Sequence, residues 1–165
     1  MKSDGISYLE ADHGTASAGF IQISDSKKQT KIVRGKKEFW VNVLFEIVVN
    51  RNHPKETKFA TVLHELGHAY CGHLGTPNEK WWLDRRYMHI NIREFEAESI
   101  CWLVCERIGI KNPSQQYLSQ YLDKNNEVPN ISIDTVLKAA GLIESMIQGS
   151  KEPRKEIIVN SIPHD

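Results

Sequence analysis

The hydrophobic pattern changes its period at Pro54, and this change constrains the fold more than any other feature of the sequence. Upstream, the segment FEIVVN (45–50) is rich in β-branched and aromatic residues, which predicts a buried strand. Pro54 cannot continue a central strand, because it has no amide hydrogen to donate. Downstream, apolar residues recur every three or four positions over 55–73, which predicts an amphipathic helix.

The remaining segments extend this division into strands and then helices. Three segments before Pro54 are predicted to contain strands: 19–24, 30–35 and 38–50, the last as one or two strands. We expect the first two to form a hairpin, and residues 1–18 to be loop. After the first helix we expect a loop over 75–91 and helices at 92–109, 113–122 and 132–149. Gly109 is the expected C-cap of one helix and Ser132 the expected N-cap of another. Strands followed by helices indicate an α+β fold.

Length and charge limit the class of protein. The 165 residues suggest a single domain over 1–149, followed by a charged tail over 150–165 that we expect to be flexible. Lys and Arg together number 21, as do Asp and Glu, so the formal net charge is zero. Nucleic-acid-binding proteins usually show a basic excess, so direct binding of nucleic acid is disfavoured, and with it a DNA-binding regulator.

Cysteine usage and the N-terminus bear on the compartment. Three cysteines cannot all pair within one chain, which favours a reducing environment. The N-terminal segment MKSDGISYLE lacks the apolar core of a secretory signal, and no apolar run reaches the length of a membrane span. We therefore expect a cytoplasmic protein without a membrane partner. The sequence says nothing about its oligomeric state.

The predicted first helix carries the strongest chemical motif, HELGH at 64–68. Residues four apart share a helix face, so His64 and His68 can direct both imidazoles at one metal ion. Glu65 is rotated about 100° from His64, so it can lie beside a metal without binding it and take a proton from an activated water. This arrangement of two histidine ligands and a general base, here Glu65, defines the HExxH zinc motif. Gly67 costs about 1 kcal/mol relative to alanine inside a helix, so close approach of a strand or a substrate is one explanation for it.

A catalytic zinc site needs a third protein ligand. A third histidine six residues after His68 is absent, because that position is Leu74 and His73 falls one residue short. The segment REFEAES offers glutamates on the predicted second helix, and Glu94 and Glu98 share one face of it. We expect Glu94 to be the ligand and Glu98 to hydrogen-bond a ligating histidine; the reverse assignment remains open.

Together these segments resemble the ImmA/IrrE family of zinc metallo-endopeptidases, over about residues 19–142. The resemblance is carried by FEIVVN, by HELGH with the CGH that follows it, and by REFEAES with the helix it begins. It implies a zincin-like fold, in which a small, twisted, mostly antiparallel sheet packs on the active-site helix and further helices follow. It also implies Zn²⁺ bound by His64, His68 and Glu94, with Glu65 as base. Some relatives act on repressor proteins, so a regulator or repressor is one implied class of substrate.

Further residues are candidates for supporting roles. Tyr87, His89 and Arg93 precede the glutamates and are candidates to stabilise a transition-state oxyanion, although ordinary loop polarity is the favoured explanation for each. Strand 45–50 or its neighbour could present a sheet edge to an extended peptide. The paired tryptophans at 81–82 and the cysteines in the apolar run ICWLVC are better explained by core packing.

Two functions from different classes follow. The first is a zinc-dependent endopeptidase that hydrolyses a peptide bond in a protein or peptide through metal-activated water. The second is a catalytically silent zincin-fold module that binds or regulates a partner without cutting it. Nothing in the sequence favours the second, because the Glu65 base is present.

Overall fold

A computed structural model describes residues 1–14, 17–25, 27–111, 118–122, 127–149 and 151–163. The fold is α+β, with two small, mostly antiparallel sheets. The strands are β1 (Ile6–Ala11), β2 (Gly19–Ile23), β3 (Gln29–Arg34), β4 (Lys37–Asn42), β5 (Phe45–Asn50) and β6 (Ile158–Pro163). The α-helices within the described residues are α1 (Lys55–Tyr70), α2 (Ile90–Ile108) and α3 (Ile133–Gln148). None of them is both long and apolar enough to cross a membrane.

The first sheet has the order β1-β5-β2 and supports the helices. Its central strand β5 is buried at every position, as its apolar sequence predicts. β5 runs parallel to β1 and antiparallel to β2. β2 therefore forms one edge of this sheet, and α1 packs beside both β2 and β5.

The second sheet has the order β3-β4-β6 and is antiparallel throughout. It encloses a small apolar cluster formed by Ile32, Phe39, Val41 and Ile157. Leu44 and Trp81 pack against both this cluster and the main core, so the two sheets share one continuous body.

The helices meet most closely where α1 crosses α2. A Cβ built on Gly67 would lie 3.0 Å from the Ala97 Cα and 3.3 Å from its carbonyl oxygen. Gly67 is therefore explained by the approach of a helix, not of a strand or substrate. The other signals at helix ends are confirmed: Gly109 caps α2 with a φ of 75°, and the Ser132 side chain accepts a hydrogen bond from the Thr135 amide at the start of α3.

Two expectations about the strands differ from the structure. Residues 1–18 are not all loop, because β1 lies at 6–11; only Ile6 of that edge strand is fully buried, so its apolar pattern is weak. Strands β2 and β3 do not form a hairpin with each other. They pair instead with β5 and β4, because the segment between them hydrogen-bonds to residues 43–44.

The C-terminal segment also differs from the flexible tail that we expected. Within 151–163 it forms a 3₁₀ turn at Lys155–Ile157 and then β6, which pairs with β4. Ile157 is 3% exposed, and Arg154 lies over the Trp81 ring and pairs with Asp4. The many charged residues of this segment hid the apolar residues that pack, so its sequence did not predict a strand.

The predicted helix at 113–122 is described only in part. Residues 113–117 lie outside the described residues, and a 3₁₀ turn occupies Ser119–Tyr121.

Candidate metal centre

Helices α1 and α2 bring three potential metal ligands together. The Nε2 atoms of His64 and His68 are 3.1 Å apart. The Glu94 carboxylate reaches across from α2, with its oxygens 3.4 Å from the His64 Nε2 and 3.5 Å from the His68 Nε2. One ligand atom from each residue lies within 4.8 Å of the others, which makes this group a candidate metal site. The sequence predicted this set, with Glu94 in preference to Glu98.

Glu98 contacts the opposite side of the His64 ring. Its carboxylate lies 2.8 Å from the His64 Nδ1. A carboxylate only accepts hydrogen bonds, so the Nδ1 of His64 carries the proton and donates it to Glu98. In a neutral imidazole, the Nε2 that faces Glu94 is then free of hydrogen. This is the geometry predicted for Glu98 as a partner of a ligating histidine.

His68 has a different partner, which the sequence did not reveal. Its Nδ1 lies 3.0 Å from the Nδ1 of His73, and the His73 Nε2 lies 2.9 Å from a Glu96 oxygen. Both side chains beyond His68 are buried. In the sequence, His73 falls one residue short of a ligand position, and on a helix Glu96 points about 160° away from Glu94. The signal that could have found them is that each was an ionisable residue on an otherwise buried segment.

The donor set fits a tetrahedral zinc ion. Ligands about 2.0–2.1 Å from zinc at the corners of a tetrahedron are separated by about 3.3–3.4 Å. The observed separations of 3.1, 3.4 and 3.5 Å match that edge length. Two imidazole nitrogens and one carboxylate also form a common ligand set for catalytic zinc, which leaves a fourth position for water or substrate.

The electrostatics of the group favour a cation at the same place. Burial alone would lower the pKa of His64, but hydrogen bonds to Glu94 and Glu98 outweigh it and raise this pKa to about 10. Burial would raise the pKa of Glu94, but both histidines lower it well below its usual range. The cluster therefore holds a positive charge strongly, either as a proton or as a metal ion.

Glu65 lies beside these ligands without joining them. Its side chain is buried, and burial raises the pKa of its carboxyl group. The charges of His64 and His68 oppose that rise, as does a hydrogen bond with the backbone of Ile21. A carboxylate with a raised pKa is a better proton acceptor at neutral pH than an exposed one.

A cleft of about 420 Å³ opens onto this group. Its walls include the prospective ligands, Glu65, and residues 19–21 of edge strand β2. Arg93 forms another part of the wall, and its buried Nε has no hydrogen-bond partner among the described residues. A donor of this kind is suited to a carbonyl or carboxylate oxygen on a bound molecule.

The other two residues predicted to support catalysis lie elsewhere. The Tyr87 side chain is 81% exposed, and His89 caps the start of α2 by accepting a hydrogen bond from the Asn91 amide. Neither residue lines the cleft. Tyr121 does lie near the acids, because Glu94 and Glu98 add to the effect of burial in raising the pKa of its phenol. Residue spacing did not single out Tyr121, because its approach to these acids depends on tertiary packing.

A second group of potential ligands, Cys71, His73 and Glu96, lies deeper in the protein. It is a poor metal site. Arg85 donates to both Glu96 oxygens at 2.7 Å, which puts a guanidinium charge where a metal would bind. Burial, with a smaller contribution from Glu96, raises the pKa of the Cys71 thiol to about 12, so it stays protonated.

The remaining candidates are structural. Trp82 is 8% exposed and donates to the Gly75 carbonyl, while Trp81 packs between the two apolar clusters. Neither tryptophan lines the metal cleft. Cys101 and Cys105 are reduced cysteines buried in the core.

No protein-family model, curated protein or solved structure matches this chain. The fold and the geometry of the site therefore carry the functional argument alone.

Proposed function

We propose that this chain is a zinc-dependent endopeptidase of the zincin type, related to the ImmA/IrrE family, with a protein or peptide substrate. One observation carries the proposal. Two imidazole nitrogens and a carboxylate converge at the edge lengths of a zinc tetrahedron, directly beside the buried carboxyl group of Glu65. When neutral, both imidazoles present a lone pair to this point, as the carboxylate does, so one metal ion can bind all three groups.

His64, His68 and Glu94 would hold the ion, which when bound would polarise a peptide carbonyl and lower the pKa of a water molecule. Glu65 then accepts the proton from that water and delivers it to the leaving amine. Its raised pKa suits both steps. Arg93 donates to a substrate oxygen from the wall of the cleft.

The edge strand supports a peptide as the substrate. β2 lies at the edge of its sheet, and residues 19–21 line the same cleft as the ligands. An extended peptide can add to such an edge through main-chain hydrogen bonds, which would bring one of its carbonyl groups to the site. A regulator or repressor protein is the substrate class that the family resemblance suggests.

Replacing Glu65 by Gln tests the proposal. Zinc-loaded wild type is incubated with a peptide library prepared from a bacterial proteome, and new termini are counted by mass spectrometry. We expect Glu65→Gln to keep one zinc per chain and to lose cleavage by about 10²-fold or more, because an amide cannot accept the proton. Glu56→Gln is the matched control, since Glu56 is an exposed residue on the same helix.

Two results would count against hydrolysis by this route. Unchanged turnover in Glu65→Gln would remove Glu65 from the reaction. Wild type that binds zinc and retains library peptides without cutting them would favour the silent binding module instead.

A further inference from the structure

The proposed ligands differ in how their outer nitrogens are held. His64 donates directly to a carboxylate, which is the usual arrangement for a metal-binding histidine. The Nδ1 of His68 instead contacts His73, and His73 in turn contacts the Glu96 carboxylate. We propose, on the basis of the zinc function above, that His73 and Glu96 are positioning residues that fix the ring orientation and tautomer of His68.

The hydrogen-bond directions from His68 through His73 to Glu96 follow from the charge of Glu96. Arg85 donates to both Glu96 oxygens at 2.7 Å, and the Ser132 amide donates to one of them at 2.8 Å. Glu96 is therefore anionic, because a two-pronged guanidinium and a backbone amide all donate to its carboxylate. An anionic carboxylate only accepts, so the nitrogen that His73 turns toward it, Nε2, must donate.

The protonation of His68 follows from that of His73. A neutral His73 that carries its proton on Nε2 has a free acceptor at Nδ1. His68 lies 3.0 Å from that acceptor and donates to it from Nδ1. The Nε2 of His68 is left without hydrogen and faces Glu94, as a metal ligand requires.

The positions of these residues suit an orienting role. His73 is 3% exposed and Glu96 is fully buried. Glu96 also joins three parts of the fold. Its partners are Arg85 in the loop before α2, His73 in the turn that follows α1, and Ser132 at the start of α3. The orientation of one ligand is thus tied to the packing of the whole helical layer.

Zinc affinity of the full chain tests this role without using activity. Competition against a chromophoric chelator gives the zinc dissociation constant of each variant. We expect His73→Leu, which removes the acceptor, to weaken zinc binding by about 10–100-fold. His73→Asn should recover most of the loss, because its amide oxygen can accept from His68 near the position of the lost Nδ1. His53→Leu is the control, since His53 lies on the turn before α1, away from the cleft.

A measurement on the wild type covers the case in which His73→Leu fails to fold. Long-range ¹H–¹⁵N correlation spectra of the zinc-loaded chain report which imidazole nitrogens carry protons. We expect a proton on Nδ1 of His68 and on Nε2 of His73, and Nδ1 of His73 bare and unmetallated. A proton on the His73 Nδ1 would overturn the proposal.

The outcomes separate this inference from the function on which it rests. If wild type binds no zinc, or if His64→Ala binds it as tightly as wild type, the proposed metal centre itself fails. If wild type binds one zinc and His73→Leu binds it equally tightly, only the positioning role fails. Two zinc ions per chain, with one lost in His73→Leu, would show that Cys71, His73 and Glu96 are ligands and would overturn the positioning role.

Discussion

In the proposed centre His64 would exchange a proton for a metal ion, so the stability of the metal-free chain should depend on pH. The folded pKa of His64 is about 10 against an ordinary 6.5, so the charged imidazole stabilises the metal-free fold fully below 6.5. That contribution is lost as the pH rises through about 10. We expect the Tm of chelator-treated protein to fall across this range, by about 2–4 °C for each kcal/mol lost.

The matched measurements are thermal melts of zinc-loaded wild type and of chelator-treated His64→Ala over the same pH range. Both should fall less than metal-free wild type, because in the first the ion supplies the positive charge and in the second the titrating group is gone. Parallel decreases in all three samples would mean that His64 does not titrate in the folded cluster.

Residue spacing predicted the centre of the site but not its surroundings. His64, His68, Glu94 and Glu98 could be predicted because helical spacing alone puts each pair on one face, and the structure brings the two faces together. His73 and Arg85 lie on irregular segments, where no period relates sequence distance to direction. Their contacts depend on tertiary packing, so residue spacing could not predict which groups they meet.

The crossing of two helices sets the distance between the ligands. Gly67 meets the Ala97 backbone, and Glu94 and His68 lie within one turn of that contact. We expect Gly67→Ala to push α2 away by a few tenths of an ångström and to weaken zinc binding by about 10-fold, since catalytic ligands tolerate little displacement. The free energy of unfolding should change by less than about 1 kcal/mol, because a gain in helix propensity offsets the strain.

Gly141→Ala provides the control on another helix. A Cβ at Gly141 meets no atom within 4 Å, so the same substitution should stabilise α3 by about 0.5–1 kcal/mol and leave zinc affinity unchanged. Chelator competition and chemical denaturation measure both quantities. If Gly67→Ala behaved like Gly141→Ala, the close approach of α1 and α2 would not govern the site.

The central elements of the chain were predicted better than the strands nearest its two ends. Helices α1, α2 and α3 follow clear apolar stripes, and β5 is buried on both faces, so their sequences show where they lie. β1 and β6 are edge strands whose exposed positions dilute the pattern. Which strands pair is a property of the whole chain, so the predicted hairpin was wrong although both of its strands exist.

The C-terminal segment 151–163 packs on the second sheet and covers its apolar cluster. Ile157 completes the apolar cluster of the second sheet, while Ile162 on the following strand is 45% exposed. We expect Ile157→Ala to lower the free energy of unfolding by about 2–5 kcal/mol, as for other buried isoleucines. Ile162→Ala removes the same atoms from a solvated position and should change it by less than about 0.5 kcal/mol.

Urea denaturation of both variants measures the difference, and zinc affinity provides an independent readout. Neither residue lines the metal cleft, so both variants should bind zinc as wild type does. Equal, small effects on unfolding would mean that residues 151–163 do not pack on the body in solution. A large loss of stability confined to Ile157→Ala would instead make this segment part of the domain, because only a docked tail can bury one isoleucine and expose the other.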